Sequence, residues 1–189
     1  LTPPLVYAAY RNNNDLNGLT VVQIDAHADL RETYEGTPQS HACATRRLTE
    51  RGARVIAIGV RAISQPEGEY EKSVNLVEIY RAQTLAENSG VEQTLLSQLR
   101  ELHGDVYLTV DIDGLDPSMC PGTGTPEPGG LGWWQTLRIL RAILLENRSR
   151  NLIGCDLVET VPQPNTQINE FTAARLLAKM IAYAKAPVE

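Results

Sequence analysis

The run Asp25-Ala26-His27-Ala28-Asp29 sets three potential metal ligands within one short segment, and Asp111-Ile112-Asp113, followed by Asp116-Pro117, adds two more. Glu159 closes a further apolar run, Leu152-Ile153-Gly154-Cys155-Asp156-Leu157-Val158. Taken singly, an Asp at the end of a strand is well explained as a turn starter or a helix cap. Taken together they are not, because each carboxylate withdrawn from water at the end of an apolar strand costs several kcal/mol, on the order of the penalty for any buried ion, unless a cation meets it. Strand alternation would put Asp25, His27 and Asp29 on one side, and Asp111 and Asp113 likewise, all facing one crevice. The donors are oxygens with one imidazole and no thiolate. That set suits Mn²⁺ better than zinc or an iron–sulfur cluster, and it has too much imidazole for an ordinary Ca²⁺ site. Four carboxylates overcharge one ion. Two bridged divalent cations match the count, and such a pair acidifies a shared water toward neutral pH.

The elements that must position these residues alternate along the chain. Leu19 to Asp25, Val55 to Val60, Val106 to Asp113 and Leu152 to Glu159 read as buried strands, with a weaker candidate from Val74 to Tyr80. Helical periodicity fills the gaps: Val91, Leu95, Leu99 and Leu102 fall on one face, as do Trp133, Leu137, Leu140 and Leu144. Phe171, Ala174, Leu177 and Ile181 form a third apolar face, with Asn169 as the expected cap. At the N-terminus, Thr2-Pro3-Pro4 reads as a helix start with Thr2 as N-cap and Leu5, Ala8 and Ala9 on the apolar side, ended by a loop at Asn12-Asn13-Asn14-Asp15. Continuous apolar strands between amphipathic helices predict a three-layer α/β/α domain with a mostly parallel central sheet. In such sheets ligands bind beyond the carboxyl ends of the strands, where all the acids named above stand. The expectation is one domain over residues 1–189.

The composition narrows the function classes. The 189 residues carry 17 Lys and Arg against 23 Asp and Glu, a formal net charge of -6, and the pI is about 5.1. Non-specific nucleic-acid binding, which needs clustered basic residues, is not expected. No apolar run approaches the ~20 residues of a membrane span. Cys43, Cys120 and Cys155 are odd in number and form no CxxC pair, which points to a reducing, cytoplasmic setting and to cysteines that are structurally buried. His103 precedes a strand, matches no motif and is expected at the surface. Trp133-Trp134 reads as core in preference to a substrate wall, since Trp133 lies on an apolar helical stripe.

These motifs carry a family resemblance. Ile24-Asp25-Ala26-His27-Ala28-Asp29 resembles the Asp-Ala-His-x-Asp signature of the ureohydrolases, the arginase/agmatinase family. Asp111-Ile112-Asp113-Gly114-Leu115-Asp116-Pro117 resembles its second metal signature, and Pro121-Gly122-Thr123-Gly124-Thr125-Pro126-Glu127-Pro128-Gly129-Gly130-Leu131 the loop that follows. Asp156-Leu157-Val158-Glu159 is similar to the strand end that contacts the guanidinium. The resemblance implies hydrolysis of a guanidino compound to urea and an amine at a binuclear manganese centre. It implies that Asp25 and Asp111 bridge the ions, that Asp29 completes one and that His27 and Asp113 complete the other. It assigns His41, in Ser40-His41-Ala42-Cys43, to proton transfer toward the leaving amine, and Glu159 to the substrate guanidinium. It also implies a homo-oligomer, a trimer or hexamer. The loop from Pro121 to Pro128 and the segment from Leu30 to Gln39 look closer to agmatinases than to arginases, which favours agmatine or a similar guanidino compound over arginine.

The resemblance further implies one more ligand His, in a Gly-Gly-(Asp/Glu)-His-Ser signature just upstream of Leu1. The chain is therefore expected to be N-terminally incomplete relative to the family domain. The alternative is a non-catalytic ureohydrolase-like binding or oligomer subunit. Intact Asp25, His27, Asp29, His41, Asp111, Asp113 and Glu159 argue for the enzyme.

Overall fold

The computed structural model describes residues 1–10 and 15–186. Five strands form one sheet: β1 (Leu19–Ile24), β2 (Arg54–Val60), β3 (Val77–Arg81), β4 (Gly104–Asp111) and β5 (Arg150–Val158), in the spatial order β3-β2-β1-β4-β5. Every neighbouring pair is parallel. All five predicted strands are present, and the weak candidate is the edge strand β3. The helices are α1 (Thr2–Ala9), α2 (Ala44–Thr49), α3 (Gln65–Ser73), α4 (Ala82–Glu87), α5 (Ser89–Arg100), α6 (Trp133–Arg141) and α7 (Ile168–Lys185). The last turns after α6, Ala142–Glu146, widen into a π-helix.

The strands are apolar throughout because both faces are covered. Val22 and Ile24 of β1, Ile56 and Ile58 of β2, and Val106, Leu108 and Val110 of β4 join one core with Leu95 and Leu99 of α5, Leu140 of α6 and Leu176 of α7. Their alternate neighbours Leu19, Val21, Val55 and Ala57 join a second core with Val6 of α1, Leu48 of α2 and Tyr70 of α3. A period of two thus splits each strand between two helical layers, which is the three-layer α/β/α arrangement the patterning predicts.

Five expectations change, and one falls outside the described residues. Residues Asn12 to Asn14 of the predicted loop lie outside the described residues. Helix α1 begins at Thr2 itself, and its hydroxyl meets the Thr109 hydroxyl at 3.0 Å instead of capping. Its buried residues are Thr2 and Val6, while Leu5 is exposed. In α7 the buried face is Asn169, Ala173, Leu176 and Met180, and Phe171, Leu177 and Ile181 are exposed. Two apolar stripes run along this helix, and periodicity alone cannot choose between them. Asn169 is not the cap, which falls at Gln167. It lies in the first turn, fully buried. Cys43 and Cys120 are buried as expected, whereas Cys155 is half-buried. Trp133 packs half-buried against the core, Trp134 is exposed, and so is His103.

Candidate metal centre

The sheet order makes β1 and β4 neighbours although they are far apart in sequence. From β1 the chain winds outward through β2 and β3. It then returns to β4 and winds the other way to β5. The loops leaving the carboxyl ends of β1 and β4 diverge, and a crevice opens between them, as the rule for open parallel sheets requires. Asp25 follows directly on β1 and Asp111 ends β4.

The convergence of the acids is made by turns and not by strand alternation. Strand β1 ends at Ile24, and Asp29 takes a left-handed backbone (φ 54°). Asp111 ends β4 by accepting the Asp113 N–H at 3.0 Å, and residues Ile112–Gly114 form a 3₁₀ turn. The turn packs so tightly on β1 that a side chain at Gly114 would stand 2.9 Å from the Asp25 nitrogen, which explains the glycine there. The two motifs then lace together. Asp113 Oδ1 accepts the Ala26 N–H at 3.0 Å, and Asp25 Oδ1 accepts the His27 N–H at 2.6 Å. His27 Nδ1 lies 3.0 Å from Asp113 Oδ2 and 3.5 Å from Asp25 Oδ1.

Asp25, His27, Asp29, His41, Asp111, Asp113 and Glu159 all line one cavity of about 690 Å³. Within it Asp25, His27 and Asp113 can each bring one ligand atom within 4.8 Å of the others, the compact group among the described residues. Asp29 and Asp111 face the same cavity outside that trio. His41 opens the short helical turn before α2, with Nδ1 3.5 Å from Ser40 Oγ and its ring edge-on to Tyr34 at 5.6 Å. Glu159, just beyond β5, has a left-handed backbone (φ 63°).

The electrostatics are those of anions short of a counter-charge. Burial pushes the Asp25 carboxyl up, helped by Asp113, against the hydrogen bonds it accepts. Burial and then Asp25 push Asp29 well up, and burial with Asp25 and Asp113 takes Asp111 up to about 10. Asp113 moves the other way. Burial would raise it, but hydrogen bonds from His27 and the Ala26 N–H outweigh that and hold it below the usual range. The Asp113 and Asp25 carboxylates lift His27 to about 10. The His27 imidazole faces two of these acids, Asp113 and Asp25, and among the described residues is the one basic side chain paired with them. A divalent cation supplies more positive charge through the same donors, and a set of hard oxygens with one imidazole fits such an ion.

Several further residues build the site in roles that the sequence motifs did not assign them. Arg61, just past β2, gives its guanidinium wholly to main-chain carbonyls, including Asp113 at 2.6 Å, Gly59 at 3.0 Å, Glu127 at 2.8 Å and Pro128 at 3.1 Å. It therefore ties the Asp113 turn to the glycine-rich loop. Asp116 staples that loop by accepting the N–H groups of Ser118, Gly129 and Gly130. Asn169 accepts the Gly122 N–H at 3.0 Å and donates to the Val161 carbonyl at 2.8 Å, joining the loop to the segment after Glu159. A side chain at Gly122 would collide with that Asn169 amide. Glu67 of α3 lines the cavity, but its carboxylate accepts from Leu30 N–H at 3.1 Å and from Ser64 N–H at 2.9 Å and Oγ at 2.6 Å. The Ser64 contacts are a capping box, a Ser-x-x-Glu spacing that is local in sequence, whereas the bond from Leu30 depends on the fold.

A parallel α/β sheet with an acid- and imidazole-lined cavity at its switch point is an arrangement that can hold a metal ion. The Arginase family model matches residues 1–182. The chain is 38% identical over 184 residues to N(1)-aminopropylagmatine ureohydrolase of Synechocystis sp., covering 97% of this chain and 57% of that protein. It is 35% identical over 160 residues to the agmatinase of Pyrococcus horikoshii, covering 85% and 53%. Among solved structures, the agmatine ureohydrolase of Thermoplasma volcanium superposes with a TM-score of 0.76 at 32% identity, over 89% of this chain and 55% of that one. The chain belongs to the arginase family, on the agmatinase-like side of it. It spans a little over half the length of the curated relatives it matches.

Proposed function

We propose that the protein hydrolyses a guanidino compound, agmatine or a similar guanidino-amine, to urea and an amine with manganese bound. The observation that carries the reading is the placement of seven family-matching side chains, Asp25, His27, Asp29, His41, Asp111, Asp113 and Glu159, around one cavity. Asp25, Asp29, Asp111 and Asp113 with His27 would hold two Mn²⁺ ions, whose chemistry is to lower the pKa of water and supply the nucleophile. The relatives named for agmatine and for N(1)-aminopropylagmatine support a cationic substrate without an α-carboxylate.

The protein's own groups do the rest. Guanidinium is planar and cationic, and a carboxylate at Glu159 can bind and orient it through charge-assisted hydrogen bonds. Arg61 and Asp116 hold the loop that forms one wall. The amine leaves only once it is protonated. An imidazole titrates near neutral pH and suits that transfer, and His41 stands at the cavity on a helical turn that fixes its backbone. A homo-oligomer remains part of this reading on the family resemblance.

The test is urea release with Mn²⁺, comparing agmatine, N(1)-aminopropylagmatine and arginine by kcat/KM. Urea from either guanidino-amine in preference to arginine is the expected result. Preference for arginine would reverse the substrate assignment. Absence of urea from every substrate, in a protein extended upstream of Leu1 and loaded with metal, would return the non-catalytic reading.

A further inference from the structure

Asp25 is held from behind by a side chain that is neither acid nor histidine. Gln23 Nε2 donates to Asp25 Oδ2 at 2.7 Å, and Thr45 Oγ1 donates to Gln23 Oε1 at 2.7 Å. The three residues are 4%, 4% and 2% exposed. Neither Gln23 nor Thr45 lines the large cavity. Both line a small one of about 40 Å³ behind it, together with Asp25, Asp29 and Asp111. Among the described residues their side-chain hydrogen bonds reach the site at Asp25 alone.

We infer that Gln23 and Thr45 are a positioning pair that leaves Asp25 one free lone pair on each oxygen, so that it can serve two cations at once. The inference rests on the proposed cation site. An ionised carboxylate has about four acceptor positions. Oδ1 spends one on the His27 N–H at 2.6 Å and Oδ2 spends one on Gln23. Apart from the long 3.5 Å approach of His27 Nδ1 to Oδ1, one position per oxygen remains, and the two donors fix the plane of the group. The orientation of the Gln23 amide is fixed in turn. Asp25 can only accept when ionised, so the amide must present its NH₂ to it. The amide oxygen then needs a donor in a place 2% exposed, and the Thr45 hydroxyl is that donor. Without the hydroxyl, the buried amide oxygen loses its donor and only the Asp25 carboxylate holds the Gln23 side chain in place. Residues that hold a ligand in this way typically account for 10–100-fold in metal affinity.

The test is Mn²⁺ titration of the purified chain by electron paramagnetic resonance, with metal-free thermal unfolding measured beside it. Thr45→Val and Gln23→Leu should each weaken Mn²⁺ binding by about 10–100-fold, and Thr45→Ser, which keeps the hydroxyl, should bind like the unaltered chain. Thr45→Val also strands the Gln23 oxygen and should lower metal-free stability. The pair Gln23→Leu/Thr45→Val removes both polar partners and should recover that stability while its Mn²⁺ affinity stays as low as that of Gln23→Leu alone. If affinity returns with stability in the double variant, or if Thr45→Val binds Mn²⁺ normally, the positioning role is overturned and the cation site stands. If the unaltered chain binds no Mn²⁺, the cation site falls and the positioning role with it.

Discussion

Asp113 accepts the main-chain N–H of Ala26 at 3.0 Å across 87 residues of sequence. One carboxylate therefore closes the turn after β4 onto the turn after β1, and its second oxygen faces His27 at 3.0 Å. The same group is a fastening of the fold and a candidate ligand, and substitution can separate the two. Asp113→Asn keeps an oxygen for the Ala26 N–H but loses the charge. It should keep metal-free thermal stability near that of the unaltered chain and lose at least about tenfold in Mn²⁺ affinity. Asp113→Ala strands a buried N–H as well, at about 1–3 kcal/mol. Denaturant unfolding and Mn²⁺ titration of both variants check this. Equal affinity in Asp113→Asn would remove it from the ligand set.

His41→Ala should leave Mn²⁺ content unchanged and cut turnover by ~10²–10⁴-fold, the range for a general acid or base. The residue lines the cavity and holds only a 3.5 Å contact to Ser40 and the Tyr34 ring, so little structure depends on it. Metal analysis and steady-state urea release in a protein extended upstream of Leu1 measure both halves. An unchanged rate would make His41 a surface residue.

Leu1 and Thr2 line the small cavity shared with Asp25, Asp29 and Asp111. The family resemblance expects one more ligand histidine upstream of Leu1. The chain over residues 1–189 should retain close to one tightly held Mn²⁺, and a chain extended upstream should retain two. Elemental analysis after gel filtration decides it. Two tightly held ions in the shorter chain would show that no upstream ligand is needed.

Asp156 supplies a pH dependence away from the cavity. Burial raises its carboxyl above the usual range, even though Thr109 Oγ1 at 2.6 Å and Tyr107 Oη at 2.9 Å both donate to it. The folded chain then binds the proton more tightly than the unfolded chain does. Stability from this group is full below the unfolded value of about 3.9 and is lost as pH rises through the folded one. Asp25, Asp29 and Asp111 slope in the same direction, so the observable is the difference made by one substitution. Asp156→Asn should flatten the decline in urea midpoint between pH 4 and pH 7, roughly the range above the carboxylate reference value. Parallel curves for the two proteins would show that Asp156 ionises as freely in the fold as out of it.

The strands were legible because each is an apolar run buried on both faces, as Val55 to Val60 shows. The acids after β1 and β4 were legible because a hydrophobic run that stops at Asp is a local event. The faces of α7 were not, since Phe171-Leu177-Ile181 and Ala173-Leu176-Met180 are both apolar and only the sheet chooses between them. Arg61, Gln23 and Asn169 were illegible for another reason. Their hydrogen bonds join segments distant in sequence or depend on a neighbour's orientation, and a polar residue alone reports neither. Strand alternation does not account for the convergence of the acids, because turns and not strand pleats bring them together.

Strands β1 and β4 are two of the three inner strands of the sheet, with β2 the third, each hydrogen-bonded on both sides, whereas β3 and β5 are its margins. Margins can open while the middle holds, so native-state opening is cheapest at the edges and dearest at the centre. The acidic turns spring from the centre. Transient fraying of β3 or β5 would therefore leave Asp25 and Asp113 in register, and an ion held between them would escape only by direct release through the cavity or by collapse of the whole fold. Amide hydrogens of Val22, Ile24, Leu108 and Val110 should be among the last to exchange, and bound manganese should slow them further in step with its effect on global unfolding.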